Sequence, residues 1–420
     1  MFAYPGKTKI VLYGTSSAGK LAYYKYRSRF EILGFMSSGA QSGKFCGIDI
    51  LPNSQILPLC RQGAKIIVLD NDAKCCRSLS EKRGLKLYDN FLPVSLFEYE
   101  MIDCLELYSM CSKEEFARVL SILMRGKKGA LINGNCQTEP IAKYLRYNER
   151  FSKEYVFLKT TVVHRFTEQN IGILSDKAFL DCVSLFMTQK ISLNNNHCRE
   201  ASSELMFKKL PDTCKKVMIN NYWFQGYFPQ HKKNEYNVLT DMYTYGAFNW
   251  GDEILDKLVA EGRNADEIYA FAKSNEVVDK KELEELIASQ FADMRAREKP
   301  CDIKMADYIE ENYKKRVLFY SCNHPVNELL KLSATKILRF IGLYAEDEPV
   351  RFRYESSLDS KPMLKSVTET IYPAVLHHLG MNDIEDDLSY SVLFGEFCDF
   401  DNYVKNYLSF CHGVFVDDGE

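Results

Sequence analysis

The 420-residue sequence has no apolar run approaching the roughly 18 residues of a membrane-spanning helix. It has no surplus of positive charge either. Lys+Arg is 54 against Asp+Glu 57, a formal net charge of -3. A dedicated nucleic-acid binder usually carries a basic excess, so no nucleic-acid partner is expected. A local basic pocket for a phosphorylated cofactor stays open. None of the 14 cysteines belongs to a CxxC, and no Cys/His spacing matches a zinc ribbon or finger, so no metal is expected. No internal repeat or low-complexity tract occurs. The opening stretch MFAYPGKTKIVLYG lacks a signal-peptide apolar region and cleavage site and reads as a first strand. Scattered cysteines in such a chain read as buried, reduced thiols, and a cytoplasmic location is expected.

What is present is core-forming material. Hydrophobic residues make up 46% and aromatics 13%, ample for packed interiors. At roughly 150 residues per domain the length suggests two or three domains.

The N-terminal third reads as an open α/β pattern. Strands are expected at 9–13, 30–36 and 65–69, with a helix at 21–26 after the segment Gly14-Thr15-Ser16-Ser17-Ala18-Gly19-Lys20. The third strand runs into Asp70-Asn71-Asp72, a turn able to open a helix. Two motifs compete for the Gly-rich turn. Gly14-x4-Gly19-Lys20 has most of a Walker A loop, but Leu21 stands where Ser or Thr would hold magnesium. A dinucleotide fingerprint has Ser16 where its central Gly would approach a pyrophosphate, and no acidic residue ends the second strand. Leu12 to Lys20, Gly34-Phe35 and Gly47-Ile48-Asp49-Ile50-Leu51-Pro52 resemble the Rossmann-like N-terminal domains of sugar-modifying acyltransferases and nucleotide-sugar enzymes. The resemblance implies a nucleotide or nucleotide-sugar at Gly14, Ser16 and Gly19. A domain that docks or dimerises and binds nothing is the alternative.

Ser112-Lys113-Glu114-Glu115 opens like a capping box, and Phe116, Val119, Leu120 and Leu123 recur at helical spacing. A linking helix is therefore expected over 113–128. Ala130 to Asn133 then reads as a strand, Gly134-Asn135-Cys136-Gln137 as a turn, and 138–146 as a helix capped by Thr138. A thiol at such a turn faces the positive end of the helix, which favours thiolate. Backbone N–H groups there can form an anion hole, with Asn135 and Gln137 as side-chain amide donors. On these residues alone a buried structural cysteine is the competing reading.

Asn133-Gly134-Asn135-Cys136-Gln137 resembles the opening motif of the WcbI-type polysaccharide biosynthesis family. Further blocks follow in order: Asp181-Cys182-Val183 leading to Gln189-Lys190-Ile191-Ser192, the ring-rich stretch from Asn220 to Pro229, Trp250-Gly251-Asp252-Glu253-Ile254-Leu255, and Ser321-Cys322-Asn323-His324-Pro325. The resemblance covers about 130–340. It implies an α/β fold organised like SGNH-type esterases, coenzyme A or acetyl-CoA as cofactor, and a sugar or polysaccharide precursor as acceptor. It casts Cys136 and His324 as the catalytic pair. Gly134, Asn135, Gln137, Gln189, Tyr227 and Asn323 become oxyanion or substrate-positioning residues.

Pro325 pushes His324 to an extended backbone at the end of an apolar strand. Arg165, after an apparent strand, is a candidate cation for the coenzyme phosphates; the pairs Lys208-Lys209, Lys215-Lys216, Lys232-Lys233 and the run Lys314-Lys315-Arg316 are others. His197 lies in a polar loop. Rings at 222–229 suit either stacking on a ligand or core packing.

The expected architecture is a Rossmann-like parallel-sheet domain over 1–112, the linking helix, a catalytic α/β domain over 129–340, and a largely helical, charged extension over 341–420 able to cap or oligomerise. The first functional expectation is an acetyl-CoA-dependent O-acetyltransferase. A sugar-ester hydrolase or thioesterase on the same Cys/His pair, and a non-catalytic glycan-binding scaffold, are the alternatives.

Overall fold

A computed structural model describes residues 8–37, 42–69, 73–87, 89–93, 101–110, 112–195, 198–235, 248–391 and 396–416. The turn at 70–72, His197 and the acidic run 417–420 lie outside the described residues. The chain forms two compact units. The first runs to Asn133 and takes in Ser152–Met187 and Ile191–Lys216; the second comprises Gly134–Phe151, Thr188–Lys190 and the chain from Val217 on.

The first unit holds one whole sheet and most of a second on one core. Strands β1 (Lys9–Tyr13), β2 (Glu31–Met36), β3 (Lys65–Val68) and β4 (Phe91–Pro93) form a parallel sheet in the order β2-β1-β3-β4. The order reverses beside β1, so the turn at Gly14 sits at the carboxyl edge of a switch point. Helix α1 spans Ser17–Tyr26, four residues earlier than expected, so Gly19 and Lys20 are helical. Gly14 has φ 136, a left-handed value that favours glycine, and its N–H donates to the Met36 carbonyl at 2.8 Å. A Cβ at Gly19 would lie 2.6 Å from the Gly14 carbonyl oxygen, so the helix rests directly on the turn. The first and last glycines of the segment thus have the backbone roles a fingerprint gives them, while the middle position is the exposed Ser16.

Helix α2 (Lys113–Met124) begins as expected: the Ser112 side chain accepts from the Glu115 N–H at 3.2 Å. Its buried face is Phe116, Val119, Leu120 and Leu123, and Arg125 and Gly126 end it with positive φ. The second sheet contains β5 (Met101–Asp103), β6 (Lys128–Asn133), β7 (Tyr155–Lys159), β8 (Val183–Gln189) and β9 (Lys215–Ile219), in the order β9-β8-β6-β7-β5. The pairs β5–β7 and β6–β7 are parallel. The strand at 101–103, inside the first 112 residues, is therefore an edge of this second sheet. The runs β6 and β8 are almost wholly buried, as apolar strands of a covered parallel sheet should be. No helix among the described residues is long and apolar enough to cross a membrane.

The second unit is largely helical around its own core. Helix α3 (Thr138–Tyr147) buries Ile141, Tyr144 and Leu145 and packs on the helix Asn327–Phe340. The ring-rich stretch belongs to this core: Tyr222, Phe224, Tyr227 and Phe228 are all buried. Beyond residue 340 the α-helices among the described residues are short, Glu355–Asp359, Pro373–Leu379 and Phe400–Tyr407, with a 3-10 helix at Asn382–Asp387 and the strands Tyr390–Ser391 and Phe397–Cys398 paired antiparallel before the last.

The block around Asp252 is also framework. Asp252 caps the helix Glu253–Ala260, accepting from the Leu255 N–H at 3.0 Å and from the Tyr372 hydroxyl at 2.9 Å. Burial pushes its carboxyl up to about 7, against those two hydrogen bonds and with Asp256 adding to the rise. The folded state therefore holds a proton that the unfolded chain releases near pH 4. Stability is highest below that pH, falls as pH rises through the window from about 4 to 7, and is level above it. The loss from this group is on the order of 4 kcal/mol. Chemical denaturation from pH 5 to 8 should show the fall, and Asp252→Asn should flatten it. An equal slope in that variant would assign the pH dependence elsewhere.

Candidate active site

The segment Gly134–Gln137 joins β6 to α3, and its side chains are fixed by an amide lattice. Gln137 is fully buried and uses every hydrogen-bonding position it has. Its Nε2 donates to the Tyr222 carbonyl at 2.9 Å and the Asn323 carbonyl at 2.7 Å. Its Oε1 accepts from the Tyr222 N–H at 3.0 Å and from Gln189 Nε2 at 2.9 Å. Gln189 Oε1 in turn accepts from the Asn135 N–H at 2.9 Å. A Cβ at Gly134 would strike Gln189 Oε1 and lie 2.6 Å from Thr138 Cγ2, so only glycine fits under the latch.

The helix start differs in one detail from expectation. Thr138 is the first helical residue rather than the cap, and its hydroxyl donates to the Asn135 carbonyl at 2.8 Å. Gln137 takes the cap position without a side-chain cap bond; Asn135 closes an Asx turn just before it, its Oδ1 accepting from the Gln137 N–H at 3.0 Å, while its Nδ2 donates to Asn221 Oδ1 at 3.1 Å. Two backbone N–H groups of the turn, those of Asn135 and Gln137, are thus already bonded to side chains.

Held at the start of α3, the half-buried Cys136 places Sγ 3.4 Å from Nε2 of His324. His324 opens a short strand, His324–Pro325, paired antiparallel with Phe319–Ser321. Its Nδ1 lies 3.1 Å from the Val367 carbonyl oxygen. A carbonyl only accepts, so Nδ1 carries the hydrogen and Nε2 presents its lone pair to the thiol. Burial lowers the imidazole pKa from its ordinary 6.5, against the hydrogen bonds to Val367 and Leu364. The ring is therefore neutral at pH 7 and able to accept a proton.

The structure separates the other predicted residues by role. Gln137 and Gln189 have their amides committed to the lattice, which makes them framework for the turn. Asn135 and Asn323 are half-buried beside the pair; Asn323 Oδ1 accepts from the Ser321 hydroxyl at 3.2 Å. Tyr227 does not join them. Its hydroxyl donates to the Tyr313 carbonyl at 2.6 Å within the core, because a buried phenol must find an acceptor. Arg165 sits exposed on a 3-10 turn, Val163–Arg165, of the first unit. Of the nine other candidate cations, three form ion pairs with nearby carboxylates: Lys208 with Glu204, Lys232 with Asp256, and Arg316 with Glu328.

Sequence reasoning missed Val367, which acts through its backbone, and a buried group at His231, Cys322 and Glu369. No motif marks Val367, His231 or Glu369, and Cys322, though inside the block before His324, is not read as a functional group. A cavity of about 270 Å³ is lined by Phe319, Tyr320, Lys365, Thr368, Glu369 and Tyr390 among others, residues that flank His324 and Val367 in the chain.

Residues 129–346 match the model of the family described as "Polysaccharide biosynthesis enzyme WcbI". The solved structure of WcbI, described as a novel polysaccharide biosynthesis enzyme in a native form without a disulfide bond between coenzyme A and one of its cysteines, is similar with a TM-score of 0.55. That likeness covers 68% of this chain and 90% of the other at 17% identity, which establishes the shared α/β fold. No curated protein matches the sequence. With the family match spanning more than half its length, from the strand before Cys136 to beyond His324, the chain belongs to the WcbI family of polysaccharide biosynthesis enzymes.

Proposed function

We propose that the protein is an O-acetyltransferase that moves an acetyl group from acetyl-CoA to a sugar hydroxyl of a capsular or surface polysaccharide, or of its precursor. The observation that carries this reading is the Cys136–His324 contact, with the imidazole fixed in the base-competent tautomer by Val367. The WcbI relative, described in connection with coenzyme A and a cysteine, supports the choice of cofactor.

The donor set fits the reactive end of a thioester. Acetyl-CoA supplies an acetyl group already activated for transfer to a thiol or hydroxyl. His324 Nε2 takes the proton of Cys136 Sγ, and the N-terminus of α3 favours the negative sulfur. The thiolate takes the acetyl carbon to form a thioester on Cys136, and His324 returns its proton to the departing coenzyme sulfur. His324 then removes the proton from the acceptor hydroxyl, whose oxygen attacks the thioester and releases Cys136. Asn135 and Asn323 are the amides proposed to face the carbonyl oxygen.

The test is a calorimetric titration with acetyl-CoA and with free coenzyme A, followed by mass analysis of the Cys136 peptide after acetyl-CoA alone. Saturable binding and an acetylated Cys136 are expected. No binding at millimolar ligand would remove the transferase reading. A second check is the pH profile. Because burial lowers the His324 pKa, the acid limb of kcat/KM should have its midpoint below 6.5. A midpoint at or above that value would argue against His324 as the base.

A further inference from the structure

A second titratable group lies on the segments that carry His324. His231, Cys322 and Glu369 are gathered within the second unit, with Cys322 and Glu369 buried. The Glu369 carboxylate grips two partners: Oε1 accepts from the Cys322 N–H at 2.7 Å, and Oε2 meets His231 Nδ1 at 2.5 Å. The Glu369 N–H donates to the Tyr320 carbonyl at 2.8 Å. His231 Nε2 faces Cys322 Sγ at 3.8 Å.

Two other uses of this group fit less well. As a nucleophile, Cys322 is fully buried, and burial with the Glu369 charge beside it pushes its thiol far up. As a cation site, the group has its carboxylate on one ring nitrogen of His231 and its sulfur on the other, so one ion at either nitrogen leaves a ligand behind it.

The covalent positions point elsewhere. Cys322 lies two residues before His324. Glu369 lies two residues after Val367, whose carbonyl sets the His324 tautomer. One carboxylate therefore ties both halves of the setting of His324, and His231 closes the remaining side of that carboxylate. We infer that Glu369, braced by His231, is a positioning residue that holds the 320–324 hairpin and the Val367 carbonyl in register so that His324 Nε2 meets Cys136. The inference rests on the Cys136–His324 reading. Glu369 lies outside the segment that matches the family, 129–346.

The test uses the full chain and needs no acceptor sugar. Alkylation of Cys136 by iodoacetamide is followed against pH in the wild type, His324→Ala, Glu369→Gln and His231→Gln, with nitrogen chemical shifts reporting the His324 tautomer. Glu369→Gln keeps an acceptor for the Cys322 N–H but loses the charge facing His231, so it is the milder variant for folding. His231→Gln gives a second route to the same contact. Both are expected to slow alkylation roughly 10- to 100-fold, the scale of a small misplacement, and to mix the His324 tautomers. Rates within twofold of wild type, with an unmoved pH profile and a single tautomer, would overturn the positioning role. The outcomes stay distinguishable. If His324→Ala also alkylates like the wild type, the Cys136–His324 pair itself fails. If His324→Ala is slow while both brace variants are normal, only the brace fails.

Discussion

Cys136→Ala is expected to lower kcat/KM for acetyl transfer by roughly 10³-fold or more while leaving the thermal midpoint nearly unchanged. The two halves of this result have separate causes. The thiol is the group set against His324 Nε2, at 3.4 Å, and the one that takes the acetyl group in the covalent route. Its removal eliminates the covalent step and leaves binding and carbonyl polarisation, whose residual catalysis is far smaller. The side chain is half-buried, however, and the lattice of Gln137 and Gln189 is built from amide and backbone groups. Cys136→Ser should also be strongly impaired, since a hydroxyl is much harder to deprotonate than a thiol. Residues that act as a unit are not additive, so the Cys136→Ala, His324→Ala double variant should be little worse than either single one. If Cys136→Ala keeps its rate while His324→Ala loses it, transfer is direct, with His324 activating the acceptor hydroxyl and no acetyl-enzyme formed. Initial-rate patterns discriminate the same way: parallel lines for the covalent route, intersecting lines for the direct one.

Much of this arrangement was legible because it depends on local pattern. Strands β1, β2 and β3 fall within a residue or so of their apolar runs, and Ser112 caps α2 from the position its spacing indicated. The pairing of Cys136 with His324, 188 residues apart, came from family resemblance; the residues alone left a buried cysteine open. Three things were not legible. The cap position falls on Gln137, one residue before the expected Thr138, and Asn135 closes the turn ahead of it through its side chain. Tyr227, in a stretch as suited to stacking as to packing, goes to the core, where its hydroxyl finds the Tyr313 carbonyl. Val367 contributes a carbonyl, which every residue type possesses, so no sequence signal could identify it. The extension beyond 340, which carried no motif, supplies that carbonyl and Glu369 for this reason.

Gln137→Leu is expected to be the most damaging single change to the fold around the site, and to lower activity with it. Leucine fills a volume comparable to that of glutamine, so the cavity term is small and the polar terms dominate. The substitution leaves four partners without Gln137: the Tyr222 carbonyl, the Asn323 carbonyl, the Tyr222 N–H and Gln189 Nε2. Each buried group left unmatched costs roughly 1–3 kcal/mol. Gln189 retains a weaker contact to the Asn220 carbonyl at 3.4 Å, so its loss is partial. A total of about 3–9 kcal/mol follows, a large share of the stability of an ordinary domain. Gln137→Glu should be no better. Its carboxylate keeps the two acceptor contacts but faces the Tyr222 and Asn323 carbonyls with no hydrogen to give them, and it does so at a site closed to water. Both variants should lower the denaturation midpoint and the rate of Cys136 alkylation together, since Asn323 is the residue before His324 and its carbonyl no longer has the Gln137 amide to accept from. This joint loss separates the latch from the nucleophile: Cys136→Ala removes activity alone, Gln137→Leu removes activity and stability. A Gln137→Leu protein as stable and as reactive as the wild type would mean that the turn is held by its backbone and by Gly134, with the amide lattice incidental.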